Sequence, residues 1–432
     1  MLQLDVYLEA IGAPIGKLTR SEAGEVSFRY LTDDLTHPIS QSLPVREEPF
    51  GDVEARGFFD NLLFENELRD QTMQRHGIAL SDIVGLLYHL GQDCPGAISV
   101  VPEGAEPGKR PGDLAADYKT LSDDDLIGIM QSLRDHRRMP ANSDDPSPLA
   151  GVQGKLALTV LPDGRYALPK KGSGAPTTHI LKVPRPMDMR LVDHEHILMS
   201  IADDLLDHPV SETKTVGEGD LRGLLITRYD RVIETGKVRR IHQEDFCQAL
   251  GIGPQLKYQR NGVPGRMFNA QRVGELIGVC AAPAQARAAF FEGTIVNLLF
   301  GNTDNHAKNH SLLYTADRPI LAPFYDIVPT LIDDQVTHQL SFDIGWAQMT
   351  DDITAADLKQ FALDLGYRNY SAPMRKRLEH LTARVTALIP KMSGPARKRL
   401  GDAFAEQASA LSSALEIALV VPERDMVQLN RP

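Results

Sequence analysis

The sequence predicts an α+β chain in three consecutive parts: a small mixed module, a strand-rich segment and a helical C-terminal half. Three observations predict it. Short runs alternating apolar and polar residues fill residues 1–30 and return between 154 and 236. Beyond residue 268 the spacing becomes that of amphipathic helices. Two turn-rich stretches, EGAEPGKRPGD (103–113) and HRRMPANSDDPSP (136–148), interrupt the strands. The boundaries so drawn are 1–108, 109–236 and 237–432, and 432 residues are ample for two or three domains.

Each element has a local reason. MLQLDVYLEAIG alternates like a strand, and GAPIG (12–16) and EAGE (22–25) supply turns. Residues 57–77 read as one amphipathic helix closed by Gly77, residues 81–91 as another, and CPGAISVVPEG (94–104) as a strand. Residues 122–135 form a helix with Ser122 as N-cap and three acids in its first turn. GKLALTVLPDGRYALP and HILKVPRP give two or three strands around a Pro-Asp-Gly turn, LVDHEHILMSIADDLL is helical, and LRGLLITRYDRVI is one strand. Helices are expected at roughly 284–300, 355–388 and 396–419. No internal repeat is visible.

Composition excludes several classes. Charged residues are 24% and hydrophobic residues 42%, ordinary for a soluble globular protein. A net charge of −12 argues against nonspecific nucleic-acid binding by this chain, fits a basic partner, and equally well serves solubility. Cys94, Cys247 and Cys280 show no CxxC spacing, so neither a zinc site nor a disulfide framework is expected, and a reducing cytoplasm fits. No basic region precedes a long apolar stretch near the N-terminus, so no signal peptide is expected. No apolar run reaches the ~18 residues a membrane span needs.

The chemistry is concentrated in NLLFGNTDNHAKNHSLLY (297–314) and LAPFYDIVPT (321–330). An apolar run breaks there into Asp304, Asn305, His306, Lys308, Asn309 and His310, more polar groups than a core helix can use. Asp304 and Asn309 stand in D-x-x-x-x-N, the spacing of a protein-kinase catalytic loop, and Asp326, strand-borne in Tyr-Asp-Ile, stands where a kinase carries its second metal-binding Asp. Carboxylate and amide oxygens suit Mg2+, and a carboxylate beside the acceptor hydroxyl can take its proton. The plain alternative is a turn in which Asn302, Asp304 and Asn305 cap backbone groups.

The strand-rich segment offers a phosphate site. Lys182, the one cation in HILKVP, fits an ATP-anchoring lysine or an edge-strand lysine reaching outward. Glu195 fits its ion-pair partner or a solvated helix face. The glycines of AGVQGK (150–155) let backbone N–H groups approach phosphates, or make an ordinary turn; GxxxxGK[ST] is not present there. In ITRYDRV (226–232), Asp230 fits a ribose ligand or an ion pair with Arg228 or Arg231. MRKRLEHLTAR (374–384) and ARKRL (396–400) fit a tRNA, phosphate-backbone or acidic-partner contact, or a solvated helix face. A β-rich lobe joined to a helical lobe is one way to clamp a nucleotide.

Together these stretches resemble the HipA family of bacterial toxin kinases, from toxin–antitoxin pairs linked to persistence. The resemblance runs through FFDNLL (58–63), GAISVVPEG (96–104), LAGVQGKLAL (149–158), PTTHILK (176–182), RYDR (228–231), HQEDFCQALG (242–251), GNTDNHAKNHSLL (301–313) and PFYDIVPT (323–330). It implies a two-lobed, protein-kinase-like fold close to the phosphoinositide kinases, with an N-terminal mixed α/β subdomain and a helical C-terminal lobe. It implies a Ser/Thr protein kinase using ATP and Mg2+, with Asp304 as catalytic carboxylate and Asn309 and Asp326 on the metal. Lys182 would contact ATP phosphates, with Gly151, Val152, Gln153, Gly154 and Lys155 as the phosphate loop. Tyr229, Asp230, His306 and Tyr325 would line the adenosine site. The implied substrate is an aminoacyl-tRNA synthetase. The implied partner is a HipB-type helix-turn-helix antitoxin dimer, through which operator DNA is reached indirectly. Ser147, with Ser143 second, is the autophosphorylation candidate, although Pro148 stands between Ser147 and the AGVQGK stretch and a Ser-Pro pair also suits a surface turn. Two other functions stay open: a corepressor subunit with weak catalysis, and a small-molecule kinase.

Overall fold

A computed structural model describes residues 1–9, 11–65, 67–137, 154–395 and 397–432. The chain divides into two compact units: Met1–Met189 with Thr213–Pro254 and Ser311–Pro319, and Arg190–Glu212 with Gln255–His310 and Ile320–Pro432. Ser143, Ser147, Gly151, Val152 and Gln153 lie outside the described residues.

The first unit opens with a four-stranded antiparallel sheet in the order Val26–Tyr30, Gly16–Arg20, Leu2–Leu8, Ile98–Pro102. The register sets Leu4 beside Leu18 and Leu18 beside Phe28, so the alternating apolar residues share one buried face. Helices Asp52–Phe59 and Ile83–Leu90 add Phe58, Phe59, Leu86 and Leu87 to that core. The single helix expected over 57–77 ends at Phe59, gives way to the 3-10 turn Asp60–Leu62, and resumes at Glu67–Arg75. The cause is Asn61, a buried amide that donates to Gly57 O at 2.8 Å and to Ile252 O at 2.9 Å. A helix continuing in register would take the side chain away from the second carbonyl.

The second sheet has six antiparallel strands in the order Thr213–Glu218, Leu221–Thr227, His179–Val183, Gly154–Val160, Tyr166–Pro169, Tyr118–Thr120. Helix Asp123–His136, capped by Ser122 as its sequence predicts, sets Leu126, Ile129, Met130 and Leu133 against Leu156, Leu158, Leu181 and Val183. The expected strand LRGLLITRYDRVI breaks at residues 228–230 and restarts as Arg231–Glu234.

Strand His242–Asp245 pairs with Ser311–Tyr314 and carries Glu244, which is fully buried. Its carboxyl accepts from the Ser40 and Tyr314 hydroxyls and from Gln41 N, the last at 3.0 Å. Burial pushes the Glu244 carboxyl up to about 7, against these donors. A folded-state value above the ordinary 4.5 means that the native protein holds the extra proton, so stability falls as pH rises from about 4.5 to about 7. Glu244→Gln removes the titrating group. Its melting temperature should lose this decline relative to wild type, and parallel pH curves for the two proteins would contradict the assignment.

In the second unit, Pro283–Leu299 packs against Ala270–Ile277, Ala355–Asp364, Ala372–Leu388 and Lys398–Leu415. Phe291 stacks on Phe361 at 5.5 Å and Phe300 on Phe404 at 5.3 Å. The helical stretch expected over 355–388 is two helices, Ala355–Asp364 and Ala372–Leu388, divided at Gly366, whose φ is +87°. Arg375 bonds Glu379 and Leu415 O, and Arg377 bonds Glu292 and Leu205 O, so these two basic residues are engaged internally. No helix among the described residues is long and apolar enough to cross a membrane, and Cys94, Cys247 and Cys280 are free and buried.

Candidate active site

The loop bearing Asp304 is built from the end of helix Pro283–Leu299. Gly301 N–H donates to Leu298 O at 3.0 Å and Asn302 N–H to Asn297 O at 2.9 Å, the paired bonds of a Schellman ending, with Gly301 at φ +71°. The polar groups at this end are mutually satisfied: Asn297 Nδ2 donates to Gly293 O at 2.9 Å and Asn302 Nδ2 to Asn297 Oδ1 at 2.7 Å. Asn302 Oδ1 accepts from Asp304 N at 3.0 Å, so the helix end fixes the backbone of Asp304.

Two further segments brace the loop. The Thr330 hydroxyl accepts from Thr303 N at 2.7 Å and donates to Gly301 O at 3.2 Å. Ser341 donates from its hydroxyl to Thr303 O at 2.7 Å. Asp304 stays half-buried while Asn302, Thr303, Asn305, His306 and Asn309 are buried. Its carboxylate Oδ1 accepts from the Tyr258 hydroxyl at 2.7 Å.

The spacing of five between Asp304 and Asn309 has a direct consequence. Asn309 Nδ2 donates to Asp304 O at 2.9 Å, closing the loop through the 3-10 turn Ala307–Asn309 and leaving the amide oxygen as the atom suited to a cation. Asp326 arrives on a coil, not on a strand as the sequence suggested. Phe324 forms a parallel bridge with Val210, and two residues later Asp326 takes φ +59°, a left-handed backbone that costs a non-glycine residue ~1–2 kcal/mol. That turn breaks the extended path after Phe324. Phe324 can pack so closely on the helix because position 293 is glycine; a Cβ there would stand 2.5 Å from its ring. Tyr325 donates from its hydroxyl to Lys308 O at 2.9 Å, tying the Asp326 segment to the Asn309 turn.

His306 reports the convergence. Burial holds its imidazole below the ordinary histidine range, Asp304 and Asp326 both draw it up, and Lys257 pushes it down. His306 Nδ1 and Asn305 Nδ2 are buried and find no hydrogen-bond partner among the described residues. Hard oxygen donors from Asp304, Asn309 and Asp326 beside such orphaned polar atoms fit a Mg2+ ion and the ligands around it.

Lys182, Lys155, Gly154, Tyr229 and Asp230 sit in the first unit, Glu195 in the second. Lys182 is buried on the central strand His179–Val183, which excludes the edge-strand alternative. It stands directly opposite Lys155 in an antiparallel pair, so two cations share one face of the sheet. Gly154 begins the same strand as Lys155. Glu195 is buried on helix Met189–Leu205 rather than solvated. Tyr229 donates its hydroxyl to Gln243. Asp230 takes the ion-pair alternative: it is buried, accepts from Arg228 at 3.0 Å and Arg231 at 2.6 Å, and those guanidinia overcome burial to hold its carboxyl at about 2.

A HipA-like C-terminal domain profile matches residues 147–391 and a HipA N-terminal domain profile residues 4–101. The chain belongs to the HipA family. Its α+β, two-lobed, kinase-like fold is the one its sequence predicts. Among HipA relatives, a Sinorhizobium fredii protein named as a kinase, Y4mE, is 35% identical over 363 residues, 82% of this chain and 84% of that protein. The serine/threonine-protein kinase toxin HipA of Shewanella oneidensis is 29% identical over 395 residues, 87% of this chain and 86% of that one. A solved complex of Shewanella oneidensis HipA, HipB and operator DNA contains a chain that superposes with a TM-score of 0.75 at 26% identity, covering 96% of both chains.

Sequence reasoning missed Tyr258, Asn297, Thr330 and Ser341, all of which hold the Asp304 loop or its supports. Tyr258, Thr330 and Ser341 have no periodic signature, because they act through bonds formed across 27 to 46 residues of chain, whereas Asn297 acts locally, on Gly293 and Asn302.

Proposed function

We propose that this chain is an ATP- and Mg2+-dependent serine/threonine protein kinase, the toxin of a HipA/HipB-type pair. It phosphorylates a translation protein, of the aminoacyl-tRNA synthetase class, and a serine of its own, Ser147. A helix-turn-helix antitoxin neutralises it and carries it to operator DNA, a partnership that suits the net charge of −12. The working division is an N-terminal subdomain (1–108), a phosphate-binding segment (109–236) and a catalytic segment (237–432). The free cysteines suit a reducing cytoplasm.

One observation carries this reading: Asn309 Nδ2 donates to Asp304 O, and Tyr325, next to Asp326, donates to Lys308 O, next to Asn309, so the three segments are tied together. In it, Asp304 orients the acceptor hydroxyl and takes its proton. Asn309 and Asp326 would hold Mg2+, which when bound neutralises charge on the phosphate oxygens. Lys182 contacts the ATP phosphates, and Lys155, opposite it across two paired strands, belongs to the phosphate loop. Gly151, Val152, Gln153 and Gly154 form the phosphate loop, and Tyr229, His306 and Tyr325 contact the adenosine.

The test is transfer of labelled γ-phosphate from ATP, with mass spectrometry to separate phosphoprotein from phosphometabolite. Label in metabolites alone would end the protein-kinase reading. Binding has its own check. A ligand at 100 times its dissociation constant adds about 2.7 kcal/mol of stability. Lys182→Ala should lose most of the Mg-ATP-dependent rise in melting temperature, and a wild-type rise would remove Lys182 from the site.

A further inference from the structure

The geometry points to Tyr258 as a positioning residue for Asp304, an inference that rests on the catalytic reading of that carboxylate. Tyr258 lies 46 residues before Asp304, between the 3-10 turns Pro254–Leu256 and Gln259–Asn261, yet its hydroxyl donates to Asp304 Oδ1 at 2.7 Å. A carboxylate has two oxygens and one torsion. A donor fixed on Oδ1 sets the plane of the group and leaves Oδ2 to receive the proton of an acceptor hydroxyl.

The phenol is held on two sides. The Arg260 guanidinium lies 4.0 Å above the ring centroid, and the His306 ring meets it edge-on at 5.2 Å. The backbone on either side is pinned to the same loop system. Lys257 O accepts from Ala307 N at 3.1 Å, and Gln259 N donates to Ser341 O at 2.8 Å. Gln259 Nε2 donates to Asp343 at 2.6 Å, and Asp343 N donates back to Gln259 Oε1 at 2.9 Å. Ser341 in turn donates to Thr303 O, the residue before Asp304. Tyr258 and Asp304 are thus anchored to one framework, so the hydroxyl is in place before any substrate arrives. Removing it frees the carboxylate torsion without disturbing the backbone of Asp304, which Asn302 and Asn309 hold independently.

Tyr258→Phe keeps the ring beneath Arg260 and against His306 and deletes only the donor. A hydrogen bond to a charged group sets the scale, so the single-turnover rate of phosphoryl transfer should fall about 10- to 100-fold. The KM for ATP and the melting temperature should stay at wild-type values. On an Asp304→Asn background the same change should cost nothing further, since its effect runs through that carboxylate. A wild-type rate for Tyr258→Phe, or an equal loss on both backgrounds, overturns the inference. If Tyr258→Phe lowers the melting temperature, a fluorinated tyrosine at 258 decides: its acidified hydroxyl stops donating as pH rises, so its rate should fall with pH where wild type does not, and a wild-type pH profile overturns the inference. Full activity in Asp304→Asn would instead remove the catalytic reading itself, a result distinct from an inactive Asp304→Asn beside a fully active Tyr258→Phe.

Discussion

Asp304→Asn should reduce transfer of the ATP γ-phosphate to protein by about 10²–10⁴-fold, the usual worth of a positioned general base, or roughly 3–5 kcal/mol of barrier. The substitution is nearly isosteric. Its backbone bonds to Asn302 and Asn309 involve only N–H and C=O, so the loop should keep its shape. An amide oxygen can still accept from Tyr258 but takes a proton far less readily than a carboxylate. Mg-ATP should therefore still raise the melting temperature while the chemical step is lost. Purified Asp304→Asn that labels itself and a synthetase mixture as fast as wild type would remove Asp304 from the chemistry. Loss of both binding and transfer would place it on the metal.

Asp230→Ala should destabilise the protein by about 3–5 kcal/mol, the cost of breaking a buried ion pair from one side. Asp230 lies between Arg228 and Arg231, and all three are buried or nearly so. The Arg231 guanidinium also braces the chain, donating to Thr177 O at 3.0 Å and to Asp230 O at 2.9 Å. Without the carboxylate, two buried guanidinia lose the partner they share. At roughly 2–4 °C per kcal/mol for a domain of this size, the melting temperature should drop visibly. The measurement also separates the two roles the sequence allowed. An unchanged melting temperature with weakened nucleotide binding would restore Asp230 to the ribose.

Much of the architecture was legible. The alternating strands of residues 2–30, the Ser122 cap and the Pro-Asp-Gly turn appear where local rules put them, because each is decided by neighbours within a few residues. The errors share one cause. The helix expected to run unbroken from 57 stops because Asn61 reaches Ile252, and the strand expected through 226–232 breaks because Asp230 draws two arginines inward. Periodicity registers neither, since both partners of such a bond must be known before its effect can be.

The active site divides along the same line. D-x-x-x-x-N could be read directly, since that spacing lets Asn309 return to the Asp304 carbonyl within one turn. The linear chain offered no means of choosing between a ribose ligand and an ion pair at Asp230, or between an edge and a central lysine at 182. Nor could it show that a tyrosine 46 residues upstream would grip the Asp304 carboxylate. Those outcomes depend on which groups lose water together when distant segments meet. Desolvation and pairing are properties of the folded neighbourhood, and residue order specifies them only through the fold it produces.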